Sequence, residues 1–223
     1  MKKTLLAIAA AATLAPSVPV LAADSPFSSN IGLFSDYRFR GLTQTDTKPA
    51  LQGGFDYAGA NGFYAGNWNS SIGFTTAGIE SDFYLGYSTE LGGIGIDVGN
   101  LYYHYPGATD GDTNEVYLGL SAGPASFKVS YATTDYFGLT DSKGHLYYSL
   151  GVSIPVSDKV TIDGSMGYHA GEGEQLKGYD YLVGVSFDMG NGFALGVSYV
   201  TTSGDLQPDA DDKGAVISIS RSF

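Results

Sequence analysis

The sequence predicts an all-β chain: a 12-stranded antiparallel transmembrane β-barrel with short periplasmic turns and longer extracellular loops. Three observations predict it. Apolar and polar residues alternate with period two almost throughout the chain after residue 24, as in strands with one apolar and one polar face. A four-residue unit recurs at a nearly constant spacing. The connections between alternating runs are short and long by turns.

The repeat gives the strand number. Leu85-Gly86-Tyr87-Ser88, Leu118-Gly119-Leu120-Ser121, Leu150-Gly151-Val152-Ser153 and Val183-Gly184-Val185-Ser186 follow one another at spacings of 33, 32 and 33 residues. Weaker copies, Leu51–Gly54 and Val216–Ile219, fall one period to either side, making six units. A propeller blade needs about 40 residues or more. A unit of this length holds two alternating runs, one turn and one loop. That is a hairpin whose strands, at about ten residues each, cross a bilayer when tilted.

The predicted strands, in order, are 29–40, 50–58, 62–72, 79–90, 94–105, 114–121, 125–135, 145–154, 160–170, 179–189, 192–202 and 214–223. Turn-like connections at 58–61, 91–93, 122–124, 155–159 and 190–192 are rich in Gly, Asn, Pro and Asp, residues that fit hairpin turns. The other connections, near 41–49, 73–78, 106–113, 136–144, 171–178 and 203–213, are mostly longer.

The N-terminus reads as an export signal. Lys2 and Lys3 precede an apolar run from Leu5 to Leu14, and Val20-Leu21-Ala22 satisfies the small-residue rule for cleavage. Residues 1–22 are the expected signal peptide, cut at 22/23 or 23/24, and 23–223 the single barrel domain. No Cys stands beside the cut, so a lipid anchor is not expected. The chain has 11 Lys+Arg against 23 Asp+Glu, a formal charge of -12. That balance argues against a nucleic-acid partner, because phosphates are bound by basic surfaces. An exported chain without Cys draws its stability from a core or a membrane.

Alternation divides each strand between lipid and lumen. On the first, Ile31, Leu33, Ser35, Tyr37 and Phe39 share the expected lipid face, opposite Asp36, Arg38 and Arg40. Outward aromatics gather toward strand ends: Phe55, Tyr57, Tyr87, Phe127, Phe187 and Phe193 at the turn side, and Tyr37, Phe39, Tyr168 and Tyr199 at the loop side. Such bands are the aromatic girdles of a membrane barrel. The C-terminal Ile217, Ile219 and Phe223 resemble the signal read by outer-membrane assembly machinery, with Arg221 a departure from it.

The same alternation places the pore-lining candidates. Ten are acids: Asp36, Asp56, Glu80, Asp82, Glu90, Asp97, Glu115, Asp163, Asp180 and Asp188. Three are bases: Arg38, Arg40 and Lys128. An acid excess concentrates cations and excludes anions. The two arginines are expected to pair with carboxylates and brace the barrel. The Gly and Ser of each repeat point inward near the periplasmic end, leaving room there or easing curvature.

Two other classes compete. A closed barrel would act through its loops, in a structural or surface-binding role. A membrane-embedded lipid hydrolase would need a Ser-His pair on the lipid face. His104, His145 and His169 show no Ser two residues away, and His145 and His169 face the lumen. Cross-strand pairs stay open. No cofactor and no metal cluster is expected, with three scattered His and no Cys. Asp209-Ala210-Asp211-Asp212 reads as a solvated acidic loop.

Ser35–Gly41, Thr43-Gln44-Thr45, Pro49–Tyr57 and Gly62–Trp68 resemble the TorF family of porins, as do Glu80–Tyr87 and Asn114–Tyr117. The likeness covers the mature chain and is most specific across 35–68. It implies an outer-membrane barrel and no catalytic residues. Together these readings point to a narrow, cation-preferring channel in the outer membrane of a Gram-negative bacterium, exported by the general secretory pathway. Its expected partners are lipid, the assembly machinery, and small solutes or ions.

Overall fold

In the computed structural model, residues 25–73, 76–108, 111–171, 176–203, 206 and 213–223 are described. The expected signal peptide and the acidic run at 209–212 lie outside them.

Twelve strands close into one antiparallel barrel. They are β1 (Phe27–Phe34), β4 (Ala50–Ala58), β5 (Phe63–Ser71), β6 (Ile79–Leu91), β7 (Ile94–His104), β8 (Thr113–Ala122), β9 (Ala125–Ala132), β10 (Leu146–Pro155), β11 (Val160–Ala170), β12 (Lys177–Gly190), β13 (Phe193–Thr202) and β14 (Lys213–Ser222). Each pairs with its neighbour in sequence, and β1 closes the ring on β14. The C-terminal residue helps to seal that seam: the Phe223 amide donates to the Ser29 carbonyl at 2.9 Å.

The expected strands and their facing hold, with ends shifted by a few residues, except at the first. That strand stops at Phe34 instead of running to residue 40. Residues 38–43 form a separate miniature hairpin, β2 (Arg38–Phe39) against β3 (Leu42–Thr43). Its two turn residues, Arg40 and Gly41, both have positive φ, 46° and 89°, as a type I′ turn requires.

The outer surface is apolar. Phe55 is 71 % exposed, Val183 58 % and Leu51 57 %. Such a surface suits hydrocarbon, not water. Arg221 lies on this face, its guanidinium over the rings of Phe223 (4.5 Å) and Phe193 (4.8 Å). Aromatic faces thus accommodate the one basic departure in the C-terminal pattern.

The buried apolar core is inside the barrel. Tyr37, Phe39, Ala50, Ile72, Leu101, Tyr103, Tyr105 and Tyr117 form one cluster, with Trp68, Tyr84 and Phe137 packed against it. Tyr37 and Phe39 therefore leave the lipid-facing girdle to which alternation assigned them. Tyr168 and Tyr179 (ring centroids 4.6 Å apart) remain on the outward face.

Candidate functional site

The lumen is built from two sources: inward side chains of the wall, and the first loop folded back among them. Tyr37 meets Trp68 of β5 edge-on at 5.3 Å and donates to Glu80 Oε1 of β6 at 3.2 Å. Phe39 packs edge-on against Tyr103 of β7 at 5.5 Å and Phe137 at 5.4 Å. A side chain at Gly41 would collide with Asp180 of β12 and Thr202 of β13. The loop thus reaches across the lumen at its long-loop end. Glycine at position 41 permits both the positive φ and the close approach.

Both loop arginines pair with carboxylates. Arg38 Nε bonds Asp36 Oδ2 at 2.5 Å. Asp36 also accepts from the hydroxyls of Thr43 (2.6 Å) and Thr45 (2.9 Å), which ties the loop to itself. Arg40 grips Glu115 of β8 with two nitrogens, at 2.8 and 2.7 Å. It also donates to the Tyr136 hydroxyl at 3.0 Å and lies 4.1 Å from the Tyr147 ring centroid. A bidentate, stacked guanidinium fixes position as well as charge. Arg40's contacts compensate the unfavourable positive φ of a non-glycine residue.

The wall carboxylates find hydroxyl partners. Tyr64 donates to Asp97 at 2.6 Å and is hydrogen-bonded to Tyr117; Tyr84 donates to Asp56; Tyr147 reaches Asp180 at 3.0 Å; Ser153 donates to Asp163 at 2.7 Å. Three of these tyrosines lie across glycines of the adjacent strand: Tyr84 over Gly66, Tyr64 over Gly86 and Tyr117 over Gly99. Lys128 places its ammonium 4.3 Å from the Tyr117 ring centroid. Sequence reasoning missed these tyrosines as functional residues. For two of them the signal was parity: Tyr84 alternates in step with Glu80 and Asp82, and Tyr117 with Glu115.

The remaining candidates differ in position. Asp36, Arg38 and Arg40 enter the lumen on the loop, not on the strand wall. Glu90 and Asp188 are exposed at the turn end of the barrel. Asp188 caps its turn, accepting from the Gly190 amide at 2.7 Å. His145 Nε2 and His169 Nδ1 are 3.1 Å apart beside Tyr136. His104 instead faces outward and pairs with Asp112 at 2.8 Å. Partial burial opposes the Asp112 charge, but hydrogen bonds from Tyr102, the Tyr105 amide and His104 outweigh it and hold that carboxyl below its ordinary range.

A closed barrel, apolar outside and polar within, has the fold of outer-membrane porins. The "KdgM porin" structure matches at TM-score 0.60 and 12 % identity over 88 % of this chain and 98 % of that one. The NanC porin matches at 0.58 and 11 % over the same shares. An active-site mutant of Escherichia coli outer membrane phospholipase A matches at 0.52 and 10 %, over 88 % of this chain and 89 % of that one. By sequence, the chain belongs to the Gcw_chp family, described as a bacterial protein of unknown function, which matches residues 21–223. Comparison with curated proteins finds no match.

Proposed function

We propose that this chain is an outer-membrane channel through which small hydrophilic solutes or ions diffuse passively, narrow and cation-preferring. The observation that carries the reading is the lumen's charge. Asp36, Asp56, Glu80, Asp82, Asp97, Glu115, Asp163 and Asp180 stand inside, against Arg38, Arg40 and Lys128. With both arginines paired, the net field inside is negative and favours cations. The first loop supplies the narrowing. The TorF-like segment at 35–68, which contains that loop, adds support. The outward Ile217, Ile219 and Phe223 fit recognition by the assembly machinery.

A structure of KdgM porin was solved in complex with disordered oligogalacturonate. An acidic lumen does not suit such a polyanion, so neutral or cationic solutes are the class expected here. A second reading, a sealed barrel acting through its loops, draws on how completely Arg40 is held.

Reversal potential in a salt gradient tests the channel reading. Wild-type protein in a planar bilayer should show a cation-side potential that Asp97→Asn with Asp163→Asn moves toward zero. An anion-side potential, or one that the substitutions leave unmoved, contradicts the charge argument.

A further inference from the structure

The apolar outer wall has a polar interruption on β5 and β6. Trp68 of β5 packs on Tyr37 and Ser70 is buried, both inside the barrel, so Asn67 and Asn69 face out. Ser81 of β6 stands beside Asn69. Exposed apolar groups bracket the three at both levels: Leu51 and Ile79 toward the long loops, Phe55 and Phe83 toward the short turns. The amides therefore lie within the hydrocarbon band, not among headgroups. Across the barrel, β12 turns Tyr179, Tyr181, Val183, Val185 and Phe187 to the same lipid.

Hydrocarbon offers an amide no partner, so each unmet donor or acceptor there is costly. The cluster meets part of that demand itself. Asn69 Nδ2 donates to Asn67 Oδ1 at 2.6 Å, Ser81 Oγ to Asn69 Oδ1 at 2.8 Å, and Asn67 Nδ2 to the Asp82 carbonyl at 2.9 Å. A side-chain amide carries two N–H donors and an oxygen with two lone pairs. One Asn67 N–H and one lone pair on each amide oxygen stay outside these bonds. Asn100 and Asn114, on β7 and β8, show the contrast: their amides bond each other in both directions, at 2.8 and 3.1 Å.

We propose that this face binds a second copy of the chain, with a twofold axis along the membrane normal. The leftover donor and acceptors are uncharged and complementary to themselves. The Asn67 amide of one copy donates to an amide oxygen of the other and receives the same bond in return, as a twofold contact requires. Uncharged side chains that hydrogen-bond across an interface hold protein segments together within a bilayer. Anionic headgroups do not fit this face. They are held by Lys and Arg, and the chain has neither from Pro49 to Phe127. The flanking Phe55 and Phe83 supply apolar packing between the two barrels.

The test counts subunits in lipid. The chain has no Cys, so Lys48→Cys, at an exposed loop position, takes a single fluorophore. Refolded mature protein is reconstituted into phospholipid vesicles without lipopolysaccharide, diluted in lipid until chance co-occupancy is rare, and its photobleaching steps are counted. Lys48→Cys alone should show two steps. Adding Asn67→Leu and Asn69→Leu should leave one step, or move pairing to a protein density about tenfold higher or more. Adding Val183→Leu and Val197→Leu instead, on the far wall, should leave two. Heat-modifiable gel mobility verifies folding, and should the double asparagine variant fail to fold, Asn67→Ala decides alone. A single step without the asparagine substitutions, a count above two, or two steps that persist undiminished with them overturns the proposal. Because no current is measured, this outcome is independent of the reversal-potential test.

Discussion

The two ends of the lumen are built differently. Toward the long loops, large side chains interlock: Phe39 with Tyr103, and Arg40 with Glu115 and Tyr147. Toward the short turns, Gly and Ser line the β9–β14 part of the wall, as in the pairs Gly151–Ser126 and Gly196–Ser186, while Tyr64 fills that level across Gly86 on the other side. The wall is one continuous sheet through both halves. What differs is whether a second layer of protein lies inside it. On the proposed channel reading, the first loop sets the bore more than strand number does.

The largest effect that would break this comparison is expected at Arg40. Arg40→Ala leaves Glu115 buried and uncompensated, a loss of about 3–5 kcal/mol. Unfolding followed by heat-modifiable gel mobility measures it. A change near zero would mean that the loop contributes little to the upper half.

A pair of glycines sharpens the contrast. A side chain at Gly99 would collide with the Tyr117 ring, whereas at Gly119 the nearest neighbour is an ordinary 3.5 Å from the added carbon. Gly99→Val should cost about 1–3 kcal/mol as overpacking, and Gly119→Val distinctly less. Equal losses in denaturant titrations would remove the proposed difference in packing.

The smallest effect lies at the rim, outside both halves. Asp112 titrates below its ordinary range in the folded protein. A depressed folded pKa gives stability that is present above the unfolded value, near 4, and lost as pH falls through the folded one. Asp112→Asn should cost under about 0.5 kcal/mol at neutral pH, as exposed pairs do. The difference from wild type should vanish in acid. Unfolding midpoints at pH 7 and pH 3 would show this.

Much of this was legible in the sequence because a barrel strand writes its facing into residue parity. The repeat gave the strand number, and alternation gave the apolar exterior. The first loop escaped because its hairpin alternates too. Tyr37 and Phe39 keep the parity of Ile31 and Leu33, so nothing in the period marks where the wall ends. The local signal was Arg40-Gly41, the turn that reverses the chain. The tyrosine–carboxylate bonds and tyrosine–glycine contacts escaped for another reason. They join different strands, and register between strands is not written in any one of them.

The most direct test of the central claim is single-channel conductance with and without the first loop. Residues 36–47 would be replaced by a short Gly-Ser linker, with folding verified by heat-modifiable mobility. A small, stable conductance in wild type that rises several-fold on replacement is the predicted result. Equal conductance in the two proteins would show that the first loop does not govern the bore.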